Sequence, residues 1–312
     1  MKPLPRFWTD AVGDAHSPEG KEFSLTLYGW STTSLAHAAQ VAQQRWAQVA
    51  AAVRAGRELH TQWYYPRIPL REEVLQEIHA PDGTLTAAIT RNRYGAEVLN
   101  TDAVLIADVD LPQPARTRRS PRRSGSGPLA GLFRRLVGRR STSDLLAPPP
   151  SGVDMPPQAP TSGDGAAHLS RIAAVAGANT RWGFRVYRTA AGLRVIVTGS
   201  GLAPGSAEAE YLLRELDSDP LYVRLCATHE TYRARLTPKP WRVGHRALIV
   251  DYPYDRFSHI VDPWLRAYAS ACRGHAACEL VSETGPGATG IERQIVQLHD
   301  ERAGVGSGSP LA

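Results

Sequence analysis

The sequence predicts an α+β fold built on a ferredoxin-like β-α-β-β-α-β core, and three observations predict it. β-rich apolar runs at residues 104–110, 184–187, 193–197 and 232–236 alternate with helical patterns at 168–176 and 206–216, in the order that core requires. Ala190-Ala191-Gly192 joins two of the runs as a hairpin. Residues 112–165 are rich in Pro, Gly, Ser and Arg and read as a long disordered insert between the first strand and the first helix.

The elements follow in chain order. Residues 1–16 contain no apolar stretch of the kind a secretory leader carries. Leu35, Ala39, Ala42, Trp46, Val49 and Val53 step by threes and fours, the stripe of a helix that opens at Ser34 and stops at Gly56. A shorter helix is expected over 69–78, then strands at 85–90 and 96–99, with Asn100-Thr101-Asp102 as a turn. The first core strand then ends in Asp108 and Asp110. Beyond the insert come the helix stopped by Gly177, the hairpin, and a helix capped by Ser206. The strand at 232–236 follows, then one at 247–251 and a helix opened by Asp262 and Pro263. The predicted organisation is an N-terminal α/β region carrying the first core strand (1–111), the insert (112–165), the rest of the palm-like core with a C-terminal helix (166–300), and a flexible tail (301–312).

The net charge of +6 is unevenly spread. Residues 112–143 hold nine arginines and no acid, so the remainder of the chain carries a formal charge of −3. Polyanion binding must therefore rest on the insert or on local clusters. Within the insert, Leu129, Leu132, Phe133, Leu136 and Val137 recur at helical spacing among arginines, a pattern suited to a polyanion, a membrane surface or a protein partner. No apolar run reaches membrane-spanning length, and three cysteines are too few for a disulfide framework, which together predict a cytoplasmic protein. Cys272, His275 and Cys278 lack the paired knuckles of a zinc site and read as core residues. Residues 285–290 are glycine-rich without the lysine of a P-loop.

Chemistry concentrates at the first strand. Side chains two apart in a strand share a face, so Asp108 and Asp110 can hold one cation, with Mg²⁺ or Mn²⁺ the natural choice for oxygen ligands. A third carboxylate is available from Asp217, Asp219 or Asp251, the last at a strand end of its own. Arg233 and Arg235 alternate onto one face of their strand. Lys239 and Trp241 follow in a proline-braced segment suited to a triphosphate or a stacked base.

These residues resemble motifs of the archaeo-eukaryotic primase (primase–polymerase) superfamily over about residues 100–255. The apolar-Asp-x-Asp strand is one motif. A second is the hairpin from Tyr187 to Arg194, where Arg194 stands at the family's phosphate-contacting histidine. A third is an acid followed by an arginine-rich stretch: Asp217 or Asp219, then Arg224, Arg233, Arg235 and Lys239. The resemblance implies metal-dependent nucleotidyl or phosphoryl transfer, with Asp108, Asp110 and a third acid as catalytic ligands, Asp217 or Asp219 by motif order, while strand-end chemistry offers Asp251 equally. It also implies that Arg194, Arg224, Arg233, Arg235 and Lys239 bind a nucleoside triphosphate or single-stranded nucleic acid. Arginine in the histidine's place leaves two expectations open: a bidentate phosphate clamp in an active enzyme, or a non-catalytic nucleotide- or nucleic-acid-binding module.

Overall fold

The structure, a computed structural model, describes residues 1–57, 69–111 and 162–312. The insert as far as residue 161, with its arginine-studded apolar stretch, lies outside the described residues. The chain divides into two compact units.

The smaller unit, described for residues 4–57 and 69–71, is a hairpin with one helix. Strand β1 (Phe7–His16) pairs antiparallel with β2 (Glu22–Ser31) from Phe7↔Ser31 to His16↔Glu22. Helix α1 (Leu35–Arg54) has Ser34 as its N-cap, the side chain accepting from His37 N–H. Its buried stripe is Ala38, Ala42, Ala50 and Val53, with Leu35 left exposed. The shift has a packing cause: a Cβ on Gly29 of β2 would come within 2.1 Å of the Ala38 carbonyl oxygen. Only small residues permit that approach, so the alanine face of the helix is the one that docks.

The larger unit is mixed α+β with two four-stranded antiparallel sheets. Strands β3 (Glu73–His79), β4 (Leu85–Arg91) and β5 (Glu97–Thr101) begin it. The first of these stands where the sequence pattern suggested a helix over 69–78. Val74, Leu75 and Ile78 fit either period, and pairing with β4 decides for the strand. Strand β6 (Leu105–Asp110) carries the two acids, and helix α2 (Ser162–Ala178) follows the insert, starting before the expected residue 168 and continuing through Gly177. Strands β7 (Gly183–Thr189) and β8 (Gly192–Thr198) form the expected hairpin. Helices α3 (Ala207–Glu215) and α4 (Pro220–His229) then lead to β9 (Tyr232–Arg235). The residues expected as a strand at 247–251 form no ladder; Val250 N–H donates only to the Arg93 carbonyl. Helix α5 (Ser258–Cys272) begins before the Asp262-Pro263 signal and contains it. Strand β10 (Cys278–Thr284) and helix α6 (Gly290–Ala303) complete the unit. Residues 304–312 run back along Ala276, whose carbonyl accepts from Ala312 N–H.

The sheets have the orders β10-β7-β8-β6 and β3-β4-β5-β9. Strand β8 is buried along its whole length, whereas β6 leaves the core at Asp108 and Asp110. The edge of β6 away from β8 is satisfied by the α3–α4 segment. Ser218 Oγ accepts from Asp108 N–H and Asp219 N–H donates to the Asp108 carbonyl. Tyr222 Oη bridges two strands, 2.8 Å from the Ile106 carbonyl of β6 and 3.1 Å from Arg233 N–H of β9. Among the described residues no helix is long and apolar enough to cross a membrane.

Candidate functional site

Register places the site. Asp108 of β6 lies directly opposite Arg194 of β8, which lies opposite Tyr187 of β7, so the three side chains form a row on one face. Asp110 lies opposite Gly192. A Cβ there would fall 2.0 Å from the Val109 carbonyl oxygen, so only glycine lets β8 close on the last turn of β6.

Around this row is a small polar cleft of about 40 Å³, lined by Asp108, Asp110, Arg194, Arg235, Lys239 and Arg242 together with Thr189 and Thr237. A much larger groove of about 760 Å³ lies between α2 and α3, but its walls, including Val175, Trp182, Leu202 and Tyr211, are mostly apolar. The chemistry lies in the smaller one.

Four cations face two carboxylates in the cleft, leaving a formal excess of +2 with all six ionised. Among the described residues, the carboxylates of Asp108 and Asp110 and the charged ends of Arg235, Lys239 and Arg242 make no hydrogen bond or ion pair within 4.0 Å. Structural charges in a folded core are paired; these point into shared space.

Their titration reflects it. The cleft walls withhold water from Asp110, and with the fields of Asp108 and Asp219 they raise its pKa, although its tip reaches solvent. Burial lowers Lys239 to about 8, helped by Arg235 and Arg242. Burial likewise lowers Arg235 and Arg242.

Arg194 is held differently. It is 5% exposed, and its Nη1 lies 3.0 Å from both the Arg235 carbonyl and His299 Nε2. Arginine only donates, so His299 Nε2 accepts, and the imidazole proton sits on Nδ1, 2.8 Å from Asp300 Oδ1. Burial pushes His299 down to about 4, which keeps it neutral. Burial alone would raise Asp300, but hydrogen bonds from His299 and Tyr187 and the charge of Arg185 hold it low. Arg194 is thus fixed from behind by α6, and its buried Nε–H has no hydrogen-bond partner among the described residues. Cys278 Sγ lies 3.9 Å from the same Nη1, and burial raises its thiol pKa.

The other residues singled out by the sequence lie elsewhere or are committed. Arg233 pairs with Glu72 at 2.7 Å, with both side chains nearly buried, and does not line the cleft. Arg224 is exposed on α4. Asp217 adopts a left-handed φ of 61° and pairs with His168 at 2.8 Å. Asp251 follows the segment beside Arg93 and does not line the cleft. Asp219 stands close enough to bias Asp110, but its carboxylate caps α4 through Leu221 N–H and Tyr222 N–H. Among the described residues no group of three or more His, Cys, Asp or Glu side chains is placed to hold a metal ion. Asp108 and Asp110 nonetheless suit one Mg²⁺, which commonly takes one or two protein carboxylates and completes its shell with phosphate oxygens and water.

Arg242, His299 and Asp300 were not singled out by the sequence. Arg242 belongs to the same proline-braced segment as Lys239 and was legible as one more cation. His299 reaches Arg194 from 105 residues away, and no local signal announces that. Compared with family models, curated proteins and solved structures, the chain matches none.

Proposed function

We propose that the chain binds a nucleoside triphosphate through its phosphates, together with one divalent cation at Asp108 and Asp110, on a primase–polymerase-like palm. The observation that carries this is a cleft with a net positive lining, in which Asp108, Asp110, Arg235, Lys239 and Arg242 have no charge partner within 4.0 Å among the described residues and Arg194 is held beside them. A phosphate chain satisfies three guanidiniums and an ammonium, and a cation shared with its oxygens relieves the repulsion between the two carboxylates. The palm assignment draws support from strand order. Strand β6, helix α2, β7, β8, the α3–α4 pair and β9 succeed one another, and β9 is bridged to the edge of β6 by Tyr222. With that bridge counted, the order β9-β6-β8-β7 is the one a ferredoxin-like sheet has, while β9 takes its ladder from β5 and β10 joins β7.

Nucleotidyl transfer is a second reading, favoured by Asp219, whose field reaches Asp110 from the turn that docks on β6. One experiment addresses both. Equilibrium binding of ATP, GTP, CTP and UTP is measured with and without Mg²⁺ on the full chain and on Arg235→Ala. The expected result is Mg²⁺-dependent binding, weakened at least tenfold in the variant. Binding indifferent to Arg235 would overturn the proposal. Template- or primer-dependent incorporation that is lost in Asp108→Asn would extend it to catalysis.

A further inference from the structure

Lys239 is unusual in its surroundings. The chain uses lysine at three positions among thirty-six basic residues, and this one lines the cleft between two arginines, Arg235 and Arg242. Its backbone is fixed on both sides. The Pro238 carbonyl accepts a hydrogen bond from Tyr268 Oη, and Pro240 is buried at the start of a short 3₁₀ turn that Lys239 caps. The Lys239 carbonyl accepts from Arg242 N–H at 2.9 Å. Its ammonium lies 5.6 Å from the centroid of the Trp241 ring and has no carboxylate within 4.0 Å among the described residues. For clamping phosphate alone, a third arginine would serve better, since its planar fork binds two oxygens at once. What lysine adds is the ability to lose its proton and become a nucleophile.

We propose that Lys239 is a covalent nucleotide acceptor, its amine taking the nucleotidyl group from a nucleoside triphosphate held in the cleft. This rests on the nucleotide-binding reading above. The neutral Nζ attacks the α-phosphorus, an N–P bond forms, and the bond from that phosphorus to the bridging oxygen breaks. Pyrophosphate leaves with the electron pair, and the proton displaced from nitrogen passes to solvent water. The product is a lysyl phosphoramidate, and no oxidant or reductant is required. The groups around Lys239 suit each step. Burial and the neighbouring guanidiniums hold its pKa at about 8, so roughly one chain in ten carries the free amine at pH 7. Arg194, Arg235 and Arg242 stand ready for the charge that develops on the departing pyrophosphate.

The test uses the full chain incubated with Mg²⁺ and each nucleoside triphosphate, labelled in separate samples at the α- or the γ-phosphate, then denatured and weighed intact. The expected result is a gain of one nucleoside monophosphate per chain, carrying the α-label but not the γ-label. Peptide mapping should place it at Lys239, and mild acid should release it. Lys239→Arg should lose the adduct while keeping its thermal melt, and Arg224→Ala, on the exposed face of α4, should keep the adduct. Nucleotide bound at equilibrium without any mass gain would overturn this inference and leave the binding proposal standing. An adduct at another residue, or one persisting in Lys239→Arg, would also overturn it. Absence of nucleotide binding would overturn both.

Discussion

Asp110 and Lys239 are each shifted toward their uncharged forms, and the direction of those shifts has a thermodynamic meaning. An acid whose pKa is raised in the folded state opposes folding once it is ionised, so Asp110 contributes against stability at neutral pH. Removing its charge should therefore stabilise the chain while removing the cation site. Asp110→Asn is expected to raise the melting temperature only slightly at pH 7, because the residue is exposed and solvent screens the repulsion. A fall in melting temperature would mean that the carboxylate makes a favourable contact in the cleft. The same residues set the limit of what local pattern conveys. Asp108 and Asp110 were legible because strand alternation puts them on one face, and Arg235 and Lys239 because cations cluster in ten residues. Arg233 shares Arg235's face by that rule, yet Glu72, 161 residues earlier, captures it. Two residues with the same local signature separate only when their tertiary partners are known.

At the scale of elements, the turn between α3 and α4 does the most to shape the site. Its Ser218 and Asp219 occupy the backbone groups of Asp108, and Tyr222 from α4 bridges β6 and β9 through one hydroxyl. Tyr222→Phe removes the hydroxyl that accepts from Arg233 N–H and donates to the Ile106 carbonyl. The expected cost is about 1–3 kcal/mol in chemical denaturation, with a loss of nucleotide affinity, because Asp108 and Arg235 sit on the two strands it joins. Helix α4 was also the element most open to reading from sequence. Asp219 followed by Pro220 is an N-cap with proline at the first helical position, the same signal assigned to Asp262 and Pro263. In the first case the acid caps a helix that runs from Pro220 to His229, and its carboxylate is occupied by backbone N–H groups. In the second, the helix had already begun at Ser258 and absorbs the proline. Residues 73–79 show the complementary ambiguity: Glu73 binds Arg91 across the β3–β4 pair, an ion pair that helix periodicity could not announce.

For the molecule as a whole, pH dependence should be dominated by buried histidines. Burial holds both His299 and His229 at about 4, against 6.5 when exposed. Between these values the unfolded chain binds protons that the folded chain refuses. Stability is therefore full above about pH 6.5 and falls as pH drops toward 4, with His299 accounting for roughly 3 kcal/mol. Melting curves from pH 7 to 4.5 should show the decline, and His299→Gln should flatten it; an unchanged slope would mean His299 is not buried neutral. The long-range pairing that builds the site has another consequence, this one kinetic. Asp108 and Arg194 are register partners 86 residues apart, and β5 and β9 pair Val98 with Arg235 across 137. Contacts so distant in sequence form slowly, after local hairpins and helices. The charges of the cleft come from β6, β8, β9 and the turn beyond it, so early, locally folded species hold them apart. Ligand capture during refolding should accordingly lag behind the recovery of helical signal, making the cleft a reporter of the last stage of assembly.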